Sequence, residues 1–235
     1  MENETGQAQP DGKMTGKINI LVAEDYPIFR KGLKDIIAAT GLADRIYEAG
    51  NGKEAIDLVW REKVDLIFMN FIMPEVDGYD ASKTILSHNP KIKIIALTQY
   101  DEIPVILNFF AVGAVGFLTK AIEGAEIKPA ILNVMKGNYY YHSKFDKDIS
   151  LWLSGGLASR LPFIDFSHRD LQLMIQLSKG KTSAEIAQIL HLQYKSVETY
   201  RHNLLNKVKV KNSAELVDYI YRNGIMDQSR MRKSA

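Results

Sequence analysis

Val64-Asp65-Leu66-Ile67-Phe68-Met69-Asn70, followed by Phe71-Ile72-Met73-Pro74-Glu75-Val76-Asp77-Gly78, is the stretch that decides the fold. Its first half is short and nearly all apolar, the pattern of a strand buried on both faces of a parallel sheet. Asn70 closes the run, and Pro74 and Gly78 mark the turn that follows. A polar residue ending a buried strand is ordinary turn chemistry when it stands alone. Here three other apolar runs end in the same way.

Working outward, strand candidates are Ile18–Ala23, Arg45–Ala49, Asp65–Asn70, Ile92–Thr98 and Ala114–Thr119. Between and after them lie helix candidates near 27–39, 52–61, 78–88, 102–112 and 123–136. The spacing of Ile28, Leu33, Ile36 and Ile37 marks the inner face of the first helix. Five βα units in series imply an α/β fold, a doubly wound five-stranded parallel sheet with right-handed crossovers. In such a sheet the ligand site lies outside the carboxyl ends of the strands, at the topological switch point.

The polar residues gather there. Glu24 and Asp25 follow the first strand, Asn70 ends the third, Thr98 the fourth, and Lys120 follows the fifth. Each has a plain reading taken singly: Asp25 as a helix N-cap before Pro27, Thr98 as a strand residue, Lys120 as a solvated charge. Together, with the Met-Pro-x-x-Asp-Gly loop after Asn70, they make a set.

That set resembles the receiver domain of bacterial two-component response regulators, a flavodoxin-like fold. The resemblance implies that position 70 is the phosphoacceptor, where the family has aspartate and this chain has asparagine. It also implies a Mg²⁺ held by Glu24, Asp25, the residue at 70 and the backbone carbonyl of Ile72. Thr98 and Lys120 would contact the phosphoryl oxygens, and Phe117 matches the aromatic switch position. Such a site needs hard oxygen ligands and charge neutralisation more than covalent help. An amide is a poor nucleophile and brings no charge to a metal, so the acceptor is missing, by nature or by design, and Mg²⁺ binding is expected to be weakened.

Charge divides the chain. Residues 17–165 hold 17 Lys/Arg and 19 Asp/Glu, whereas residues 167–235 hold 12 and 6, so the C-terminal third is basic and points to a polyanion partner. There is no cysteine, which excludes disulfides and thiolate metal sites. No apolar stretch approaches the roughly 20 residues that span a bilayer. Residues 1–16 are polar, without the apolar core of a signal peptide, and read as a disordered tail, as do residues 227–235. A cytoplasmic location and no membrane partner are expected.

Residues 17–137 thus read as the receiver and 138–165 as a linker, though one too apolar to be free. In it Ser143 is placed to cap a short helix ended by Gly155-Gly156, with Trp152 and Leu153 packing on a neighbour. From 166 to 226 the pattern becomes all-α. Ser167-His168-Arg169-Asp170 and Thr182-Ser183-Ala184-Glu185 read as capping boxes, each opening a short helix. A third helix over about 194–207 and a fourth from Ser213 to Tyr221 complete a small domain of helix-turn-helix type. Gly180-Lys181-Thr182-x-x-Glu185-Ile186-Ala187, Ser196-Val197-Glu198-Thr199-Tyr200-Arg201 and Ala214-Glu215-Leu216-Val217 resemble the LuxR-type domain of response regulators of the NarL/FixJ group. Lys209 stands where that family commonly has glycine.

Lys195, Glu198, Thr199 and His202 share one face of the third helix and are candidate readers of base edges. Ser196, Arg201, Lys207, Lys209 and Lys211 are candidates for phosphate contacts. The fourth helix carries Leu216, Val217, Ile220 and Tyr221 at helical spacing, a stripe available to the core and to a second copy. The resulting expectation is a DNA-binding transcription regulator, dimeric on double-stranded DNA, answering to a sensor histidine kinase only if residue 70 is natively Asp. The competing class is a protein-interaction receiver with vestigial DNA binding. An enzyme is not expected, since no triad or GxxxxGK[ST] loop is present.

Overall fold

The structure, a computed structural model, describes residues 16–99, 103–154 and 166–222. The N-terminal tail, Gly155-Gly156 and the tail after 226 lie outside these residues. Five parallel strands form one sheet: β1 (Ile18–Ala23), β2 (Ala43–Ala49), β3 (Leu66–Asn70), β4 (Lys93–Thr98) and β5 (Gly116–Thr119), in the order β2-β1-β3-β4-β5. The order reverses at β1, so the switch point falls between β1 and β3. Asn70 pairs with Leu97 across the β3–β4 ladder, and Thr98 pairs with Thr119 across β4–β5. The strand ends therefore finish at one edge.

Strands β1, β3, β4 and β5 alternate their side chains between two buried faces, while β2 is half-exposed. Ile20, Val22, Leu66, Phe68, Ile95, Leu97 and Leu118 join Leu33 and Ile37 of α1 (Pro27–Ala39) and Ile131 and Val134 of α5 (Ile127–Met135) in one core. On α1 the inner face is narrower than the sequence suggests. Leu33 and Ile37 are buried, but Ile28, in the first turn, is 86% exposed and Ile36 is 38% exposed. The helix N-cap is Tyr26, without a side-chain cap, and not Asp25, whose carboxylate is used elsewhere.

The helices α2 (Gly52–Arg61) and α3 (Gly78–His88) pack on one another, with Asn51 and Asp77 accepting the backbone N–H groups of Glu54 and Asp80 as N-caps. Gly78 is required by space. A Cβ there would lie 2.2 Å from the Asn70 carbonyl oxygen and 2.8 Å from Phe71 Cα. Its N–H donates to the Phe71 carbonyl, so the loop carrying Asn70 is clasped directly to the start of α3. After α5 the chain returns to β5: Phe117 N–H donates to the Tyr140 carbonyl and Tyr140 N–H to the Val115 carbonyl.

Packing divides the chain at a different place from the sequence pattern. The described residues up to Gln99, with Gly113–Tyr141, form one compact unit, and α4 (Ile103–Ala111) groups with the residues from His142 onward. The physical reason is the composition of α4. Val105, Ile106, Leu107, Phe109 and Phe110 are all buried, so its apolar surface runs round the helix and is not a stripe. In the second unit it packs with α6 (Asp146–Leu153) and α7 (His168–Ser178), and the Phe110 and Trp152 ring centroids are 6.1 Å apart. Leu153, expected to pack, is exposed, and His142, not Ser143, caps the turn before α6 by accepting the Lys144 N–H.

The remaining helices are α8 (Ser183–Ile189), α9 (Tyr194–Val208) and α10 (Ser213–Arg222). Both capping boxes form: Ser167 and Asp170 bond reciprocally at the start of α7, and Thr182 and Glu185 at the start of α8. Lys209 ends α9 at φ 59° in the left-handed region, where glycine is relaxed and lysine is not. On α10, Leu216 and Ile220 are fully buried in the domain's own core. Tyr221 is half-buried, and its hydroxyl donates to the Ser178 carbonyl. The stripe expected to serve a second subunit is thus mostly consumed within one chain.

Candidate functional site

The sheet edge assembles its polar residues into one partly buried network. Glu24 is fully buried and Asn70 is 2% exposed. Asn70 Nδ2 donates to Asp25 Oδ1 at 2.7 Å, to the Ile72 carbonyl at 2.9 Å and to Glu24 Oε1 at 3.2 Å. The other end of the amide is also held, since Ile72 N–H donates to Asn70 Oδ1 at 3.3 Å. Lys120 Nζ lies 2.9 Å from Glu24 Oε1 and 2.8 Å from Oε2. A further N–H, from Tyr26, reaches Glu24 Oε1 at 3.1 Å.

Burial pushes the Glu24 carboxyl above its ordinary value, and the Lys120 ammonium works against that by favouring the charged form. Thr98 is buried at the end of β4, and its carbonyl accepts the Lys120 N–H at 2.8 Å, which seats the lysine at the site. Phe117 is buried in β5. The arrangement brings together Glu24, Asp25, Asn70, Ile72 and Lys120 by direct bonds, with Thr98 beside them on the neighbouring strand end.

Three groups around this network escape sequence reasoning. The rings of Phe29 and Tyr26 flank Lys120, with centroids 5.1 and 5.4 Å from Nζ, a cation–π environment. Arg30 Nη1 donates to the Glu24 backbone carbonyl, and its Nε lies 3.4 Å from Glu48. An aromatic shortly after an acidic pair gives no signal that it will reach a lysine far along the chain.

The oxygens of Glu24, Asp25 and Ile72 are the hard donors that a Mg²⁺ would take. All three are directed at the Asn70 nitrogen. A cation placed among them would meet amide hydrogens, so the residues as they stand do not fit the ion. Among the described residues no cluster of three or more His, Cys, Asp or Glu is arranged to hold a metal.

The second candidate surface is α9. Lys195, Thr199 and His202 are exposed and Glu198 is half-buried, all on the face that the helical spacing predicts. The Thr199 hydroxyl donates to the Lys195 carbonyl at 2.9 Å. Lys209 and Lys211 are exposed, and Ser196 is half-buried. Arg201 and Lys207 each have partners within the domain. Arg201 Nε donates to Ser213 Oγ at 2.8 Å and Nη1 to Ser183 Oγ at 2.9 Å, with Glu198 Oε1 at 3.4 Å. The guanidinium thereby ties α9 to α8 and α10. Lys207 Nζ bonds Asp170 Oδ2 at 2.8 Å, in the capping box of α7. The sequence does hold a signal: Arg201 lies four after Val197 and three before Leu204, both buried, so it shares the core face.

Residues 20–132 match the family model for the response regulator receiver domain, and residues 165–220 match that for bacterial regulatory proteins of the luxR family. Among curated proteins, the response regulator UvrY of Escherichia coli is 29% identical over 208 residues, 88% of this chain and 95% of UvrY. The transcriptional regulatory protein LiaR of Bacillus subtilis is 29% identical over 210 residues, 89% of this chain and 100% of LiaR. Among solved structures, RcsB of Salmonella enterica serovar Typhimurium, bound to promoter rprA in the presence of a phosphomimetic, matches with a TM-score of 0.56 at 19% identity. It covers 88% of this chain and 99% of RcsB, and at that identity it shows the fold.

Proposed function

The chain belongs to the two-component response regulators that join a receiver domain to a LuxR-family helix-turn-helix, DNA-binding transcription regulators and not enzymes, and from that premise we propose that its output does not depend on phosphoryl transfer at residue 70. The observation that carries the reading is Asn70 at the acceptor position among Glu24, Asp25, Thr98 and Lys120, all of the types the chemistry uses. A receiver aspartate attacks as a carboxylate, and the neutral amide lacks that nucleophile. Receiver domains generally employ Mg²⁺, and with one carboxylate fewer its binding here is weakened. The receiver spans about 17–137, the linker 138–165 and the DNA-binding domain 166–226.

The partner is double-stranded DNA, bound as a homodimer on paired half-sites, since one helix-turn-helix reads only part of a turn of duplex. Lys195, Glu198, Thr199 and His202 read bases, and Ser196, Lys209 and Lys211 meet phosphates. A sensor histidine kinase enters only for a form carrying Asp at 70. A cytoplasmic location is part of the same reading; no described helix is long and apolar enough to cross a membrane.

Treatment of the chain and of Asn70→Asp with a small phosphodonor and Mg²⁺, followed by mass spectrometry, tests the proposal. The expected result is a phosphoryl adduct on Asn70→Asp alone. A stable adduct on the unmodified chain overturns it.

A further inference from the structure

We infer that the side-chain amide of Asn70 stands in for the divalent cation of the acidic pocket, so that this receiver is neutralised from within and takes no Mg²⁺ while the amide is there. The inference rests on the reading of residue 70 as the acceptor position, and it goes further than a weakened metal site. A weak site lacks a ligand. This one has an occupant.

The geometry is that of an occupant. Oxygens from two carboxylates and one backbone carbonyl converge on a single nitrogen at 2.7–3.2 Å. The nitrogen has two hydrogens for three acceptors, so every donor is engaged. The amide is also locked in orientation. Turning it over would set Oδ1 against Asp25, Glu24 and the Ile72 carbonyl and leave the Ile72 N–H facing an NH₂ group, four unfavourable contacts in place of four favourable ones. At 2% exposure, water is poorly placed to relieve either.

Charge leads to the same conclusion. Glu24 and Asp25 against Lys120 leave one net negative charge, and the partial positive charge of the amide hydrogens meets it. An aspartate at 70 would leave two, which is the deficit a divalent ion fills. An ion entering the present pocket must expel the amide from its bonds. It would gain in return two carboxylates, of which Glu24 is already in an ion pair with Lys120. Mg²⁺ also gives up its water reluctantly and demands near-octahedral geometry, so a partly occupied cage suits it poorly.

The test compares thermal unfolding of the full chain in MgCl₂ and in EDTA for the unmodified protein, Asn70→Ala and Asn70→Asp. Asn70→Ala is the decisive variant. It adds no ligand charge but removes the occupant. The unmodified chain is expected to unfold at the same midpoint in both solutions. Asn70→Ala and Asn70→Asp are expected to lose stability in EDTA and to recover, by roughly 3–6 °C, when Mg²⁺ is about tenfold above its Kd. A Mg²⁺-dependent rise in the unmodified chain equal to that of Asn70→Ala overturns the inference, and so does an Asn70→Ala chain indifferent to Mg²⁺. Should Asn70→Ala fail to fold, calorimetric titration of MgCl₂ into the unmodified chain and Asn70→Asp decides: saturable binding to the unmodified chain overturns the inference, and binding to Asn70→Asp alone supports it. A phosphoryl adduct on the unmodified chain would sink the functional reading instead, whatever Mg²⁺ does.

Discussion

Two regions of this molecule concentrate charge where function is expected, and they handle it in opposite ways. At the sheet edge, Glu24, Asp25, Asn70 and Lys120 are turned on one another, and the network leaves little for a ligand to take. Along α9, Lys195 and His202 face outward, while half-buried Arg201 bonds Ser183 and Ser213 and exposed Lys207 bonds Asp170. A closed network stabilises a single arrangement. An open face stabilises nothing and is available to a polyanion. The contrast separates a receiver edge whose polar groups bond one another from a helix whose charged face is exposed.

The contrast breaks most completely if the sealed region loses its clasp. Gly78→Val places a side chain against the Asn70 carbonyl, 2.2 Å from where the Cβ must go. The backbone has to move, since the obstructing atom is main chain. A loss of roughly 3 kcal/mol or more is expected, at the upper end of overpacking costs. Denaturant unfolding followed at the receiver should show it, with the melting of the DNA-binding domain little changed. A cost below about 1 kcal/mol would mean that the loop after β3 is free to shift and that Asn70 is not held as described.

The contrast sharpens at Arg201. If it contacts phosphate, Arg201→Ala should weaken DNA binding and leave the fold alone. The bonds to Ser183 and Ser213 predict the reverse order of effects. Removing the guanidinium should cost about 2 kcal/mol in stability, since charge-assisted hydrogen bonds to two other helices are lost. Lys195→Ala should leave stability unchanged and lower the dependence of binding on salt by about 0.9 in slope if it meets a phosphate, or alter base preference if it reads an edge. Thermal melts beside salt-titrated gel shifts for both variants distinguish the cases. An Arg201→Ala protein of unaltered stability would return the residue to the DNA-facing set.

The sealed site is legible in the sequence because buried strands must stop somewhere and what stops them lies at one edge. The apolar run of β1 matches the strand to the residue, and those of β3 and β4 match to within one. β2 reads short because it is half-exposed, with polar residues along Ala43–Ala49, so its apolar run is broken. β5 reads long. Val115 already bonds Ile94, but regular pairing starts only at Gly116, where Ile95 packs so closely that a Cβ would lie 2.8 Å from its side chain. What the sequence does not disclose is direction. Nothing in the letters tells that the Asn70 nitrogen, not its oxygen, faces the carboxylates, whereas the all-round apolar composition of α4 is there to be read but does not say which helices it groups with. On α9 a charge suggests solvent, although position puts Arg201 between two core residues. Lys207, three after buried Leu204, carries the same warning.

Lys207 gives a smaller effect. Its pair with Asp170 is partly exposed, at 36% and 15% of the side chains. Such a pair contributes no more than about 1 kcal/mol, so Lys207→Ala should lower stability by a few tenths to that limit. Because Asp170 also accepts the Ser167 N–H at 3.0 Å, the capping box should survive. Retained protection of the Ser167 and Asp170 amides against hydrogen exchange would show it. Loss of protection would make the lysine part of the cap.

The smallest effect expected is at the entrance to α8, and it tests whether the open region is ordered before DNA arrives. Glu185 accepts the Thr182 N–H at 2.8 Å and its hydroxyl at 2.9 Å, with Lys181 Nζ at 3.2 Å. These bonds, led by the backbone N–H, hold its carboxyl below the ordinary 4.5. A lowered carboxyl value means that the folded domain prefers the charged form more than the unfolded chain does. The stability this contributes is present above the unfolded value and is lost as pH falls through the lower folded one. Following the Thr182 amide by NMR over that acid range should therefore show the cap loosening only below the ordinary value. In Glu185→Gln the same amide should hold a constant position, since a neutral side chain can accept the bond but not titrate. A Thr182 amide that titrates alike in both proteins would assign the change to a neighbour and leave the helix that precedes the reading head without a pH-dependent cap.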